Sequence, residues 1–221
     1  MHISYHFAVP LIQFQHPEAE RLNKQLKTLI LHMESQGDRF RDSVQRDTQG
    51  GPLFESNFDL FYRPEKPLRE LAGYCHECLT RTIFHLSDYS QEEFKQLEWE
   101  YDAWFHVTRK GGYQGLHNHN NASWSGIYCI DTGGEVPDRP DSGRVRFHDP
   151  RVNANYYADP GMERLKPPVH YGGFDLTHKA GQLSIFPSYL LHEIFPFVGE
   201  GTRIIVAFNS WVKVRGQAGR R

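Results

Sequence analysis

Two histidines one residue apart, His117 and His119, stand just before an aromatic and β-branched run that begins at Ser125. In an extended segment, residues i and i+2 point to one side, so the two imidazoles can address one point in space, as metal ligands do. A His-x-His pair alone divides about evenly between metal ligands and ordinary surface histidines. A third histidine, His192, lies far downstream in the run Gly181-Gln182-Leu183-Ser184-Ile185-Phe186-Pro187-Ser188-Tyr189-Leu190-Leu191-His192, and Arg203 opens a further strand-like run eleven residues later. An early pair, a distant single histidine and then an arginine is the order a facial triad needs. In such a triad three protein ligands cover one face of Fe(II) and leave three positions for a chelating oxo-acid and dioxygen. An arginine offers the far carboxylate of that acid a planar, permanently charged fork.

The elements that would hold these residues change character along the chain. Over 17–35, Leu22, Leu26, Leu29, Ile30 and Met33 recur at helical spacing, with Pro17 suited to a first helical position. Residues 36–52 are polar and Gly-containing without a sustained period, which predicts a surface loop. Leu68, Leu71, Ala72, Cys75, Leu79 and Ile83 predict a second helix over 67–86, and Ser90 with Glu93 forms a capping box for a third, ending near Trp99. From Glu100 onward short β-type runs (103–108, 125–130, 144–147, 183–186 and 203–208) alternate with Gly, Pro and Asn clusters. The long separators 131–143 and 149–169, rich in Pro and Asp, read as loops at the mouth of a barrel or sandwich.

Composition narrows the function classes. A chain of 221 residues fits one core, so a single domain is expected: 1–98 as mostly helical support, 99–212 as the β core and 213–221 as a frayed tail. With 25 Lys+Arg against 27 Asp+Glu and no basic stripe, a nucleic-acid partner is not expected. No apolar run approaches the roughly 20 residues of a membrane-spanning helix. The start MHISYHFAVP lacks a secretory pattern and only three cysteines are present, so a cytoplasmic address is the expectation. Cys75-His76-Glu77-Cys78 could suggest zinc, but the two thiols share a helical face with Leu71 and Leu79, which makes them core residues.

Taken in order, Ser56-Asn57, Trp104, His117-Asn118-His119, Trp124-Ser125-Gly126-Ile127-Tyr128, Phe147-His148-Asp149-Pro150, Gly181-x-Leu183-x-x-Phe186-Pro187-Ser188, His192, Arg203 and Phe208-Asn209 resemble the 2-oxoglutarate/Fe(II)-dependent oxygenases. The resemblance implies a mainly β double-stranded β-helix (jelly roll) braced by two to three N-terminal helices. It implies that His117 and His192 bind Fe(II), with His119 standing where the superfamily carries Asp or Glu, and that Arg203 clamps the distal carboxylate of 2-oxoglutarate. Tyr128 is assigned to the co-substrate as well, being adjacent to Cys129, where the family often has a tyrosine. Ile205 stands where the family's Arg-x-Ser pattern places a serine. Trp124, Asp149 and Arg151 are expected around the substrate. The implied reaction consumes O2 and 2-oxoglutarate, gives succinate and carbon dioxide, and oxidises a substrate C–H bond.

Read from the residues alone, other options stay open. A cupin-type dioxygenase could use three histidines without 2-oxoglutarate, and a ligand-binding jelly roll could have lost catalysis. Arg203 could be an ordinary strand-end residue paired with Glu193 or Glu200, and Asp149 is a rival carboxylate ligand, though an Asp before Pro is more often a turn-former. The substrate is left unidentified, and a homodimer is left open.

Overall fold

The computed structural model describes residues 1–151, 159–170 and 172–216, so part of the expected 149–169 loop and the tail beyond position 216 lie outside the described residues. Helix α1 (Ala19–Ser35) buries Leu22, Leu26, Ile30 and Met33 along one face, at the helical spacing of the sequence. It starts after Pro17 because the preceding segment is still tied to a strand: His16 N–H donates to Gly181 C=O at 2.9 Å, and the first helical bond runs from Leu22 N–H to Glu18 C=O at 3.1 Å. Helix α2 (Lys66–Leu86) carries Pro67 in its first turn and buries Leu68, Leu71, Cys75, Cys78 and Leu79, so both thiols are core residues. The Ser90–Glu93 capping box forms, but α3 spans only Gln91–Phe94. The expected extension to Trp99 is lost to a strand in which Trp99 pairs with Val212.

The described residues form eleven strands: β1 (Ile12–Gln15), β2 (Gln49–Gly50), β3 (Leu53–Glu55), β4 (Leu97–Thr108), β5 (Tyr113–His117), β6 (Trp124–Thr132), β7 (Val145–Phe147), β8 (Phe174–Leu176), β9 (Gln182–Pro187), β10 (His192–Ile194) and β11 (Arg203–Val214). They form two sheets, one ordered β1-β9-β6-β11-β4-β3 and the other β2-β5-β10-β7-β8, and every strand pair is antiparallel. This mainly β pair of sheets with flanking helices is the expected jelly roll. Three strands come from the front of the chain, where helices and a loop were expected. β1 extends one edge of the larger sheet beside β9, β3 extends the other beside β4, and β2 joins the smaller sheet beside β5.

The larger sheet buries both faces, so its strands alternate between two cores rather than between core and water. One face packs under α1 and α2: Phe105, Val107, Tyr128, Ile130, Leu183, Ile185, Ile204 and Val206 meet the leucines of both helices. The other faces the smaller sheet, where Trp104, Ile127, Val145, Phe147, Leu176, Phe186, Ile205 and Ala207 form a second cluster. Each buried Leu, Ile or Phe of these layers contributes about 1.5–3 kcal/mol. Among the described residues no helix is long and apolar enough to cross a membrane.

Candidate metal and co-substrate site

The inner face of the larger sheet and the facing strands of the smaller one enclose a narrow cleft of about 30 Å³ that opens to solvent. Its wall includes Trp104, His106, Gln114, His117, His119, Ile127, Phe186, His192, Ile194, Arg203, Ile205 and Ala207. Strand pairing brings the first and third predicted ligands together, since His117 of β5 lies directly across from His192 of β10. His119 follows β5 in a turn anchored by its N–H donating to Ser188 C=O at 2.9 Å. One ring nitrogen from each of His117, His119 and His192 lies within 4.8 Å of the others. The imidazole centroids are 4.2 Å (His117–His192), 5.2 Å (His117–His119) and 5.3 Å (His119–His192) apart.

The donor set fits a divalent transition metal. His117 Nδ1 contacts Gly115 C=O at 2.8 Å and His192 Nδ1 contacts Leu190 C=O at 2.9 Å. A carbonyl can only accept, so each Nδ1 carries the proton and each Nε2 keeps its lone pair for a ligand bond. Burial lowers the pKa of all three histidines, that of His119 to about 3, and the neighbouring imidazoles lower His119 and His192 further. They are therefore neutral at pH 7, the protonation state a metal requires. Three imidazoles leave the rest of an iron coordination sphere to small molecules.

Arg203 fits the second half of the expectation. It opens β11 at the end away from the histidines, opposite Thr108 on one side and Thr132 on the other. It is 4% exposed, and its Nη2 has no hydrogen-bond partner among the described residues. The bland alternative, pairing with Glu193 or Glu200, does not occur: Glu193 contacts His148 at 3.0 Å and Glu200 pairs with Lys110. A buried, uncompensated guanidinium is costly unless something anionic meets it, and the distal carboxylate of a dicarboxylic oxo-acid has the matching charge and fork geometry.

The remaining predicted site residues fall elsewhere. Tyr128 is a correction. On β6 the inward residues are Ser125, Ile127 and Cys129, so Tyr128 faces the helices, where its hydroxyl donates to Asn23 Oδ1 at 2.8 Å and its ring lies against His16 and Tyr74. It has no path to the cleft. Trp124 shares that parity and packs against the helix-side core. Asp149 and Arg151 pair with each other at 2.6 Å, and Asp149 also accepts from the N–H groups of Arg151 (2.9 Å) and Gly172 (3.2 Å). Asp149 is thus a turn-former beyond β7, its pKa held at about 2 chiefly by Arg151, and neither residue lines the cleft.

Several lining residues were missed in the sequence. His106 of β4 faces inward, with Nε2 2.6 Å from Glu55 Oε2 and 3.1 Å from Trp104 Nε1. Glu55 also accepts from Gln49 Nε2 at 2.7 Å and pairs with Arg46. Two-residue parity with Trp104 was the available signal for His106. Gln114, inward on β5, donates to Thr48 Oγ1 at 2.8 Å, a partner that no spacing argument reveals.

Comparison with known proteins agrees with the geometry. Residues 102–209, which contain all three histidines and Arg203, match the family described as "Putative 2OG-Fe(II) oxygenase". No curated protein matches the chain in sequence. Among solved structures, a prolyl-4-hydroxylase from Pseudomonas putida is similar over 94% of this chain and 94% of its own, with a TM-score of 0.61 and 16% identity. A prolyl hydroxylase from Trichoplax adhaerens, solved with a hypoxia inducible factor peptide, is similar over 91% of this chain and 83% of its own, with a TM-score of 0.63 and 11% identity. HygX from Streptomyces hygroscopicus, solved with nickel, 2-oxoglutarate and hygromycin B, is similar over 92% and 83%, with a TM-score of 0.52 and 12% identity.

Proposed function

Because the chain belongs to the family of 2-oxoglutarate/Fe(II)-dependent oxygenases, we propose that His117, His119 and His192 hold its iron and that Arg203 holds the distal carboxylate of its 2-oxoglutarate. The enzyme is a non-haem iron dioxygenase with Fe(II) as cofactor and 2-oxoglutarate as co-substrate. One observation carries the residue roles: a single cleft is lined by three clustered imidazoles and, on another wall, by a buried guanidinium with an unpartnered nitrogen. Dioxygen is the oxidant, which iron and 2-oxoglutarate, when bound, would activate: the oxo-acid gives two electrons as it becomes succinate and carbon dioxide, and a substrate C–H bond gives the other two as it gains a hydroxyl group. The chain's own contribution is positional. Carbonyl-locked His117 and His192 present lone pairs without first losing a proton. Ile127, Phe186, Ile194 and Ile205 give the cleft an apolar lining between the polar groups.

A three-histidine dioxygenase without 2-oxoglutarate would leave buried Arg203 with nothing to hold, which argues against that alternative. A reducing, cytoplasmic setting is supported by Cys75, Cys78 and Cys129, all buried and none in a disulfide. The test is succinate formation from 2-oxoglutarate by iron-loaded protein, compared with His117→Ala and His192→Ala. Both variants are expected to lose turnover and bound iron together. Turnover at the parental rate in either one refutes the assignment of that residue.

A further inference from the structure

His119 differs from the other two ligands in what its second ring nitrogen meets. Its Nδ1 lies 3.3 Å from Nδ2 of Asn209, a side chain on β11. Asn209 Oδ1 accepts from Ser125 Oγ at 2.7 Å, and Ser125 Oγ lies 2.8 Å from Ser188 Oγ. Because the backbone N–H of His119 also donates to Ser188 C=O, the ring and the main chain of this histidine are both tied into one closed circuit. Ser125 is 2% exposed and Ser188 is fully buried, so water does not compete for these bonds.

The polarity of the circuit has a chemical consequence. With the Asn209 amide NH2 directed at Nδ1, a neutral His119 accepts there and carries its proton on Nε2, which cannot then bind a metal. A half-turn of the carboxamide reverses this while leaving the heavy atoms in place. Oδ1 then accepts from Nδ1–H, Nδ2–H donates to Ser125 Oγ, and the Ser125 hydroxyl donates to Ser188 Oγ. Every hydrogen bond survives, and Nε2 is released. His117 and His192 have no such freedom, since a backbone carbonyl fixes their tautomer.

Building on the metal site proposed above, we infer that Asn209 is a positioning residue for the iron. Together with Ser125 and Ser188 it sets the tautomer of the histidine that stands in for the family's carboxylate ligand, and so sets metal affinity. Partners of this kind behind a ligating histidine change metal affinity about 10–100-fold.

The test titrates metal-free full-length protein with Co(II) alone, anaerobically and without 2-oxoglutarate, recording affinity and the visible cobalt spectrum. Asn209→Leu is expected to bind Co(II) about 10–100-fold more weakly than the parent. Asn209→Asp, which can only accept from Nδ1–H, is expected to bind at least as tightly as the parent with the same spectrum. A role limited to filling space predicts parental Co(II) affinity for Asn209→Leu, which keeps a branched side chain at this position. Asn209→Leu at parental affinity, or Asn209→Asp weakened as much as leucine, overturns the inference. If Asn209→Leu does not fold, Asn209→Ala takes its place. His117→Ala in the same titration separates the two readings. If it retains parental Co(II) affinity, the metal site itself is misassigned; if it loses Co(II) while both Asn209 variants match the parent, only the role of Asn209 fails.

Discussion

Replacing Arg203 with methionine should separate what this residue does for stability from what it does for binding. The guanidinium is 4% exposed, and its Nη2 has no partner among the described residues, so the ligand-free fold holds a buried charge without compensation. Methionine keeps an unbranched apolar stem of similar length and removes the charge. Exchange of poorly compensated buried charges for apolar side chains typically stabilises by about 1–4 kcal/mol, so Arg203→Met is expected to match or exceed the ligand-free parent in denaturant unfolding. Binding should move the other way. A carboxylate accepting two charge-assisted hydrogen bonds from the guanidinium loses roughly 3–6 kcal/mol when they go, about 10²- to 10⁴-fold in affinity. Unfolding curves give the first quantity, and anaerobic calorimetry with 2-oxoglutarate on Fe(II)-loaded protein gives the second. A variant destabilised by more than about 2 kcal/mol that binds 2-oxoglutarate within about threefold of the parent would make Arg203 a structural residue and refute the reasoning.

Other consequences follow from the same structure. In the metal-free protein, His119 and His178 have pKa values lowered from 6.5 to about 3, chiefly by burial. The unfolded chain therefore takes up protons that the fold refuses, and stability falls as pH drops below about 6.5. Between pH 7.5 and 5 the loss is about 2 kcal/mol for each histidine; chemical unfolding at the two pH values checks this, and a flat profile contradicts the neutral, buried assignment. Tyr128→Phe leaves Asn23 Oδ1 without its donor and should cost about 1–3 kcal/mol in stability, with 2-oxoglutarate affinity unchanged by calorimetry. Gly126→Ala would set a Cβ 2.4 Å from the Phe208 ring, and thermal unfolding should show a loss of about 1–3 kcal/mol.

The sequence made the order of ligands legible because His117 closes one short β-type run, His119 follows it by two residues, and His192 and Arg203 open two others. Parity was the limit. Tyr128 and Cys129 are adjacent, and both faces of β6 are buried, one under the helices and one over the cleft, so hydrophobicity could not say which of the two looks inward. Trp124 was misread for the same reason. The short strands β2 and β3 carry too few residues to show a period, and their pairing with β5 and β4 is a long-range event. The circuit of Asn209, Ser125 and Ser188 joins three strands and turns that are distant in sequence. Asn209 was visible as a residue of the resemblance, but its task depends on which side chain lies 3.3 Å away.

The most direct measurement is an anaerobic titration of metal-free protein with Fe(II) and then 2-oxoglutarate, following the weak metal-to-ligand charge-transfer band in the visible spectrum. The account predicts that the band forms in the parent, is absent in His117→Ala and His192→Ala for want of iron, and is lost in Arg203→Met although iron still binds. Iron binding in the parent with no band at saturating 2-oxoglutarate would contradict it.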